Sequence, residues 1–318
     1  KILEIREYNK ANTTFIDTIL GHQHNGRIHC QFNQLRSDEG GTVSGRFSSS
    51  HPNLQQVPAR HPEIKTMIRG LFLPEEGCQW GSFDYSAQEP RWLMHFASLT
   101  PDTRDHPKVK EIVSQYQKED LDFHQMVADL AGVERSHAKT INLGIMYGMG
   151  LGKLASVLGD IPFEEAKALR KDYDEKVPFI RDLAAAVMRA ASQKAQIRTM
   201  MGRKCRFPMR EQRSYSRLNK PIHFEKLEEQ WQEILDTPID ERPDKWGTLE
   251  PSRYRVAFTF KALNRLIQAC SADQTKVAML QCYEAGHTPI DIMENCVPEM
   301  KIPSKVDYGL SKNWGLAK

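Results

Sequence analysis

Asp84 is the residue whose position in the sequence most clearly indicates a chemical role. Residues 79–85 are short and aromatic, as in a strand, and residues 86–97 repeat apolar side chains at helical spacing. Asp84 therefore falls where a strand ends, and its carboxylate is placed to hold a hard cation with the backbone carbonyl of Tyr85 as a second oxygen ligand. A helix start without chemistry fits the same residues, because Ser86–Glu89 has the spacing of a capping box.

A second candidate group lies on a helix predicted over residues 134–148. Four of its residues are spaced by four: Arg135, Lys139, Leu143 and Tyr147. Each is turned about 40° from the last, so all share one face over about 18 Å. Two cations at one end and an aromatic ring at the other match a ligand with phosphates at one end and a base at the other, as in a nucleotide. An amphipathic helix with two solvated cations is the alternative.

Two polar segments have side chains suited to a nucleic-acid duplex. Residues 42–58 are rich in Ser, Gly, Asn and Gln, and Asn264 and Gln268 lie one turn apart on a predicted helix. Such groups suit contacts with the backbone and minor groove, where the acceptors are similar for every base pair. For residues 42–58, composition alone also fits a polar surface loop. A basic stretch without acidic residues, normally a solvated loop, contains Arg198, Arg203, Lys204, Arg206 and Arg210.

The composition fits two or three compact units. The chain has 318 residues, of which 40% are hydrophobic, enough for buried cores. No apolar run approaches bilayer length and the N-terminus has no signal-peptide pattern, so we expect a soluble protein without a membrane partner. Six scattered cysteines without zinc-finger spacing predict reduced thiols in a cytoplasm. The net charge of +3 is too small to indicate a nucleic-acid partner by itself.

The elements that must position these residues are mostly helical. Alternation predicts a strand over residues 27–32, and residues 101–120 are charged and turn-rich, which predicts a surface excursion. Residues 211–253 form a charged segment with proline breakers. Helices are predicted over residues 1–20, 122–132, 134–148, 163–176, 179–195, 228–235 and 261–284.

The segment Asp84-Tyr85-Ser86-x-x-Glu89-x-Arg91 resembles the first catalytic motif of family A DNA polymerases. Further segments resemble the same family, and together they run from about Arg27 to the C-terminus. They are Thr42–Gln55 around Gly45-Arg46, Arg135–Gly148 on the predicted helix, Gly202–Pro208 in the basic stretch, Asn264–Asp273, and Asn313-Trp314-Gly315.

The resemblance implies an α+β fold, a right-hand polymerase with an antiparallel-sheet palm and a mostly helical fingers subdomain. Residues 1–20 would then end the thumb or form a linker, and residues 211–257 would be a charged insertion of unknown role, a variation we expect among phage relatives. The remaining assignments are 21–120 for the first part of the palm, 121–210 for the fingers and 258–318 for the second part of the palm.

The resemblance also implies roles for individual residues. The catalytic residues would be Asp84, Glu89, Arg135 and Lys139, with Asp84 and the Tyr85 carbonyl as metal ligands. The nucleotide-binding residues would be Glu89, His124, Arg135, Lys139, Leu143 and Tyr147. The DNA-binding residues would be Arg46, Asn53, Gln55, Arg203, Arg206, Asn264 and Gln268.

Some positions refine or depart from the family pattern. Glu89 would exclude a ribose 2′-hydroxyl, and Arg91 is expected to be a structural ion-pairing residue and not a catalytic one. Leu143 replaces an aromatic ring that lies against the sugar, which leaves open how nucleotides without a 3′-hydroxyl are treated. Ala269 replaces a glycine, and Phe260 stands where many relatives have arginine.

The implied activity is template-directed DNA synthesis. The partners would be primer-template DNA and deoxynucleoside triphosphates, and the cofactor two Mg²⁺ ions, with Mn²⁺ as a substitute. The location would be the cytoplasm of a bacterial or phage-infected cell; the sequence indicates nothing about processivity or replisome proteins.

One family feature is absent from its expected place. Two-metal phosphoryl transfer needs a second carboxylate, which the family supplies from a His-Asp-Glu turn between two strands. This sequence runs instead from Gly286 through Asp291 into what resembles the last helix, and Asp291 is not in a strand-like context. Either the protein contains a hairpin here that the numbered sequence omits, which we favour, or the gene product lacks the hairpin.

Two alternatives to an active DNA polymerase therefore stay open. One is a catalytically defective module, derived from a polymerase, that binds primer-template DNA. The other is a single-subunit RNA polymerase, which the Glu89 and Tyr147 pattern disfavours because an RNA polymerase has no reason to exclude the 2′-hydroxyl.

Overall fold

The structure is a computed structural model in which the chain divides into two compact units. The first unit comprises Lys1–Arg91 and Ser271–Lys318, and the second comprises Trp92–Cys270. No helix in the described part of the chain is long and apolar enough to cross a membrane. All six cysteines are free thiols, as predicted. The described residues are 1–35, 41–59, 61–118, 121–131, 134–146, 149–214, 220–244, 246–286 and 289–317.

Helices form most of the regular structure. In chain order they are α1 (Ile2–Lys10), α2 (Asp17–Gly21), α3 (Pro62–Arg69), α4 (Gln88–Leu99), α5 (Pro107–Lys118), α6 (Phe123–Ala131), α7 (Arg135–Met146), α8 (Leu151–Val157), α9 (Phe163–Lys176), α10 (Pro178–Lys194), α11 (Phe224–Asp236), α12 (Ala262–Ala285) and α13 (Pro289–Asn295). A π-helical segment, Ala11–Ile16, joins α1 to α2.

The strands form small antiparallel sheets, so the predicted α+β class is confirmed. The sheet pairings are β1 with β2, β3 with β4, β5 with β11, β6 with β7, and β8 with both β9 and β10. In chain order the strands are β1 (Gln23–His24), β2 (Arg27–Ile28), β3 (Gln31–Asn33), β4 (Ser48–Ser50), β5 (Trp80–Tyr85), β6 (Gln196–Arg198), β7 (Lys204–Arg206), β8 (Met209–Gln212), β9 (Ile222–His223), β10 (Tyr254–Val256) and β11 (Val306–Ser311).

Two local predictions were wrong. Residues 27–32 are not one strand, because the segment is interrupted at His29 and Cys30: β2 ends at Ile28 and pairs with β1, whereas β3 begins at Gln31 and pairs with β4. Residues 101–120 are not merely turn-rich, because they contain α5. The charged residues of α5 conceal an apolar face, formed by Val109, Ile112 and Tyr116, that is buried.

The first unit has an apolar cluster that fixes its C-terminal segment. Trp314 stacks on Trp80 with ring centroids 5.9 Å apart and meets Phe72 edge-on at 5.2 Å. Gly315 follows it against α3, where an added Cβ would lie 2.8 Å from the Gly70 nitrogen. Only glycine permits that close approach. The Asn-Trp-Gly segment therefore has a packing function, namely to fasten the end of the chain to α3.

The second unit is a helical layer with small sheets attached. Helix α7 packs against α6, α8 and α10, and its inner face buries Ala138 and Ile141. Helices α9 and α10 are separated at Val177–Pro178, as predicted, because proline takes the first position of α10 and cannot continue α9. This layer sets the orientation of the outer face of α7.

Candidate active site

Two aspartates face each other across the β5–β11 pair. In the antiparallel register, Asp84 lies directly opposite Asp307, and both residues are exposed. The Ser86 nitrogen donates to the Lys305 oxygen at 2.8 Å, so Ser86 and Lys305 form a hydrogen-bonded pair. Such pairs recur every second residue along an antiparallel ladder, so Asp84 and Asp307 form the next hydrogen-bonded pair. The Cα atoms of such a pair are about 5.5 Å apart, and the side chains project from the same face.

The same ladder orients the Tyr85 carbonyl. Residues next to a hydrogen-bonded pair point their backbone groups to the other side of the strand, so the Tyr85 carbonyl is directed away from β11. Among the described residues β5 has no second partner strand, which leaves this carbonyl at an open edge. The Tyr85 side chain turns to the opposite face from Asp84, where its hydroxyl donates to the Met293 oxygen at 2.9 Å. Burial raises the pKa of that hydroxyl above its ordinary value.

Arg91 holds the two strands in place. Its side chain is only 3% exposed, and it donates to the carbonyls of Ser86, just after β5, and Pro303, just before β11. A buried guanidinium that bonds both segments fixes their relative position. Arg91 was predicted to be a structural ion-pairing residue; these two bonds go to backbone carbonyls, and through them Arg91 positions the facing aspartates.

The donor set suits a hard divalent cation. Two carboxylates and a backbone carbonyl are oxygen ligands of the kind that Mg²⁺ prefers. No group of three or more His, Cys, Asp or Glu side chains arranged for a metal occurs within the described ranges. Asp291 lies in α13 and not at a strand end, as the sequence indicated. Sequence reasoning considered Asp291 and missed Asp307, although the alternation of Val306-Asp307-Tyr308 resembles Phe83-Asp84-Tyr85.

A cavity in the first unit gathers three of the predicted site residues. It has a volume of about 190 Å³, and Arg46, Gln55 and Glu89 line it together with Ser271 and Thr275 of α12. The Arg46 Nη1 lies 3.9 Å from the Glu89 Oε1, at the limit of an ion pair. The structure thus places a predicted DNA-binding arginine beside the residue predicted to select the sugar. Asn53 does not line this cavity; its side chain caps a turn by accepting from the Gln55 nitrogen.

In the second unit, Asp122 fixes Arg135 at the start of α7. The Asp122 carboxylate caps α6 by accepting from the backbone nitrogens of His124 and Gln125, at 3.0 and 3.1 Å. It also accepts from the Arg135 Nε at 2.8 Å. Burial raises the pKa of Asp122, but the hydrogen bonds from Gln125 and Arg135 outweigh it, and the net shift is below the ordinary value. Sequence reasoning gave Asp122 no role of its own, although an Asp at the first residue of a predicted helix is a capping signal.

His124 belongs to a buried polar network beneath α7. Its Nδ1 lies 3.1 Å from the Asn142 Nδ2, and the Tyr173 hydroxyl donates to the Asn142 Oδ1. Asn142 is fully buried, and His124 and Tyr173 are 7% and 1% exposed. Burial lowers the pKa of His124 and raises that of Tyr173. His124 is therefore neutral at neutral pH, and its Nδ1 accepts from the amide.

Acidification is expected to destabilise the protein through His124. Its folded-state pKa is lowered, so the stability it contributes is present above the unfolded value of about 6.5 and is lost as the pH falls through the folded value. Denaturant unfolding at a series of pH values from 7.5 downwards measures the loss. A His124→Gln variant, which has no titrating ring, should lose less stability over the same range; an equal loss would contradict the assignment.

The remaining residues of the predicted nucleotide face are described only in part. Lys139 is exposed on α7, and within the described chain it forms no ion pair. Leu143 lies in α7, but its side chain is outside the description, and Tyr147 lies outside the described residues altogether. The nucleotide contacts predicted for His124, Arg135, Lys139, Leu143 and Tyr147 stay predictions.

The other predicted DNA-binding residues also lie in the second unit. Arg206 is exposed at the end of β7, whereas the Arg203 Nη2 donates to the Ala269 carbonyl of α12 at 3.0 Å. Asn264 and Gln268 are half-buried on α12. The buried Oδ1 of Asn264 has no hydrogen-bond partner among the described residues. Contact of these side chains with DNA stays a prediction.

Comparison with known proteins decides the family. The sequence model for DNA polymerase family A matches residues 1–290. The chain belongs to DNA polymerase family A. Its membership accords with the fold, because the polymerase domain of Pol1 from M. smegmatis, in complex with DNA primer-template and dNTP, superposes with a TM-score of 0.69. That comparison covers 98% of this chain and 52% of the other, at 24% identity.

DNA polymerases from a phage and a bacterium match most of the chain. A DNA-directed DNA polymerase of Pseudomonas phage M6 is 36% identical over 375 residues, covering 98% of this chain and 50% of that protein. The thermostable DNA polymerase I of Thermus aquaticus is 29% identical, covering 100% of this chain and 36% of that protein. The chain thus spans half or less of these relatives. The phage alignment is longer than the 318 residues of this chain, so that relative has residues at positions where this chain has none.

Proposed function

We propose that this chain is part of a template-directed DNA polymerase that adds deoxynucleoside triphosphates to a primer 3′-hydroxyl and releases pyrophosphate. The observation that carries the proposal is the position of Asp84, at the end of β5 and opposite a second carboxylate, in a chain of family A. The names of the phage and Thermus relatives support the same activity. We place the reaction in the cytoplasm of a bacterial or phage-infected cell, in line with the phage relatives.

Asp84, the Tyr85 carbonyl and Asp307 are the proposed metal ligands. When bound there, Mg²⁺, or Mn²⁺ in its place, would supply charge neutralisation for phosphoryl transfer. The strand pair holds the two carboxylates on one face, and the buried Arg91 keeps the strands in register. The two carboxylates are thereby fixed before a metal ion or substrate binds, which avoids a reorganisation cost at the moment of reaction.

Arg135 and Lys139 are the proposed triphosphate-binding residues. The guanidinium of Arg135 is already oriented by Asp122, and a planar guanidinium can hold phosphate oxygens in pairs. Lys139, one turn further along the exposed face of α7, adds a mobile point charge. On the primer side, Arg46 and Gln55 would contact the duplex and Glu89 would occupy the space of a ribose 2′-hydroxyl.

Primer extension tests the proposal. A 5′-labelled primer on a longer template is incubated with the protein, Mg²⁺ and each deoxynucleoside triphosphate separately, and we expect extension only with the nucleotide complementary to the next template base. Extension without a template requirement would contradict the proposal. Ribonucleoside triphosphates in the same assay, with the parent and Glu89→Ala, test whether Glu89 selects the sugar.

A binding module without catalysis is the second candidate. It is favoured by the absence of a His-Asp-Glu turn in the sequence between Gly286 and Asp291. It predicts that primer-template DNA binds tightly, measured by fluorescence anisotropy, while no extension occurs with either Mg²⁺ or Mn²⁺.

Replacing Asp307 with Asn is expected to weaken metal binding without nucleotide or DNA. Two like charges directly opposite each other on a sheet destabilise it, and a bound cation offsets that repulsion. The variant loses one carboxylate ligand, and it also loses the repulsion that a bound cation relieves. Both losses lower the affinity for Mn²⁺, which should fall roughly tenfold or more. Titration with Mn²⁺ followed by electron paramagnetic resonance measures the affinity. Asp291→Asn, at an exposed position of α13, is the control, and equal Mn²⁺ binding by parent and Asp307→Asn would refute the assignment.

A further inference from the structure

The charged insertion is a folded element with its own apolar contacts. It begins and ends in paired strands, since Gln212 of β8 lies opposite Tyr254 of β10. Helix α11 buries Leu227 and Ile234, and Trp231 of α11 stacks on Trp246 with ring centroids 5.8 Å apart. These contacts give the described part of the insertion, residues 211–214, 220–244 and 246–257, a defined shape.

One wall of a large cavity in the second unit is built by this insertion. The cavity has a volume of about 530 Å³, within the range of ligand pockets. Its lining combines aromatic rings, three arginines and two glutamates, Glu211 and Glu228, and none of these residues has a role in the proposed catalysis. The aromatic residues are Phe224, Tyr254, Phe258 and Phe260; the arginines are Arg210, Arg213 and Arg255.

The aromatic side of the cavity is open to a ligand. Phe260 is 55% exposed and lines the cavity, so its ring is accessible to a ligand. The Lys261 Nζ lies 5.2 Å from the ring centroid of Phe258 and 5.5 Å from that of Phe260. Phe258 has φ of +60°, which bulky residues rarely adopt. At the turn before α12, the rings of Phe258 and Phe260 and the ammonium group of Lys261 therefore lie close together.

The arginines differ in how far they are already engaged. Arg255 pairs with Glu211 across the sheet at 2.8 Å, and the half-buried Arg210 lies over the Phe224 ring at 5.3 Å. Arg213 is exposed, and in the described chain it forms no ion pair; its Nε donates to the Tyr254 carbonyl at 3.3 Å. Arg213 is therefore the cation of this cavity most available to an anion.

We propose that this cavity binds single-stranded DNA, with a base on the Phe260 ring and a backbone phosphate on Arg213. Aromatic faces interleaved with cations bind unpaired strands without sequence preference, because every base has a face to stack and every nucleotide a phosphate. A duplex offers no free base faces, so the surface discriminates against it. The inference goes beyond the proposed function, which assigns no role to the insertion, and it concerns binding without nucleotides or chemistry.

Binding of a labelled oligo-dT and of a blunt-ended duplex of two strands, followed by fluorescence anisotropy in EDTA, tests the proposal. Phe260→Ala should bind oligo-dT roughly tenfold more weakly, because stacking of one base is lost, but it should bind the duplex as well as the parent does. Arg213→Gln should weaken oligo-dT binding and reduce the slope of log affinity against log salt by about 0.7, as expected for one phosphate contact to a single strand.

Matched controls lie in the same unit, away from the cavity. Phe163→Ala removes a ring that is 53% exposed at the start of α9, and Arg181→Gln removes an exposed cation on α10. Both should bind oligo-dT like the parent, and circular dichroism confirms that each variant is folded. Parental oligo-dT binding by Phe260→Ala, or an equal loss in Phe163→Ala, overturns the inference. Because the assay contains no metal or nucleotide, failed primer extension would leave this result unaffected, and successful extension would not rescue it.

Discussion

Replacing Asp84 with Asn should reduce the rate of primer extension on the order of 10³-fold. Asn keeps the size of the side chain but removes the charge that a divalent cation requires. Metal ions contribute several kcal/mol to phosphoryl transfer, and about 4 kcal/mol corresponds to 10³ in rate. Single-turnover extension of a labelled primer, with saturating protein and nucleotide, measures the chemical step free of product release.

The matched control for this substitution is Asp291→Asn. Asp291 is also an exposed aspartate of the first unit, but it lies in α13 and does not take part in the β5–β11 ladder. We expect Asp291→Asn to extend primers like the parent. Primer-template affinity of Asp84→Asn in EDTA should be unchanged, since only the cation site is altered. Equal loss of activity in both aspartate variants would mean that general negative charge, and not the carboxylate at the strand end, is required.

The local part of this site could be predicted from the sequence. The change from an aromatic, strand-like run to helical spacing placed Asp84 at the end of a strand, and the structure has β5 and α4 at those positions. The partner Asp307 could not be predicted, because the register between strands far apart in the sequence depends on tertiary packing and not on local pattern. A one-residue slip would turn Asp307 to the other face.

The same division holds in the second unit. Spacing by four predicted α7 and its exposed cations, since a helical face is a local property. The contacts that hold α7, from Asp122 and Tyr173, join separate helices and leave little trace in the sequence. Asn142 would be taken for a surface residue on composition, although it is fully buried. Polar residues inside a helical face are therefore where sequence reasoning was weakest.

Asn142→Leu is expected to lower the free energy of unfolding by about 2–4 kcal/mol at neutral pH. The leucine is similar in volume, so the loss comes mainly from hydrogen bonds. Without the amide, the Tyr173 hydroxyl and the His124 Nδ1 both lose their hydrogen-bond partner, and neither residue is more than 7% exposed. An unsatisfied buried polar group costs about 1–3 kcal/mol, and two are created. Urea unfolding followed by circular dichroism measures the difference.

Tyr173→Phe separates the hydroxyl from the ring. It removes one partner of Asn142 while leaving the aromatic packing of α9, so its cost should be about 1–2 kcal/mol, smaller than that of Asn142→Leu. If the network acts as a unit, the double variant Asn142→Leu, Tyr173→Phe should be destabilised by less than the sum of the two single variants. The reason is that residue 173 then has no hydroxyl for the leucine to leave unsatisfied. Strict additivity would mean that Asn142 and Tyr173 stabilise the fold independently. A coupled network would fix the position of α7 relative to α6 and α9, and therefore the positions of Arg135 and Lys139 on the exposed face of α7.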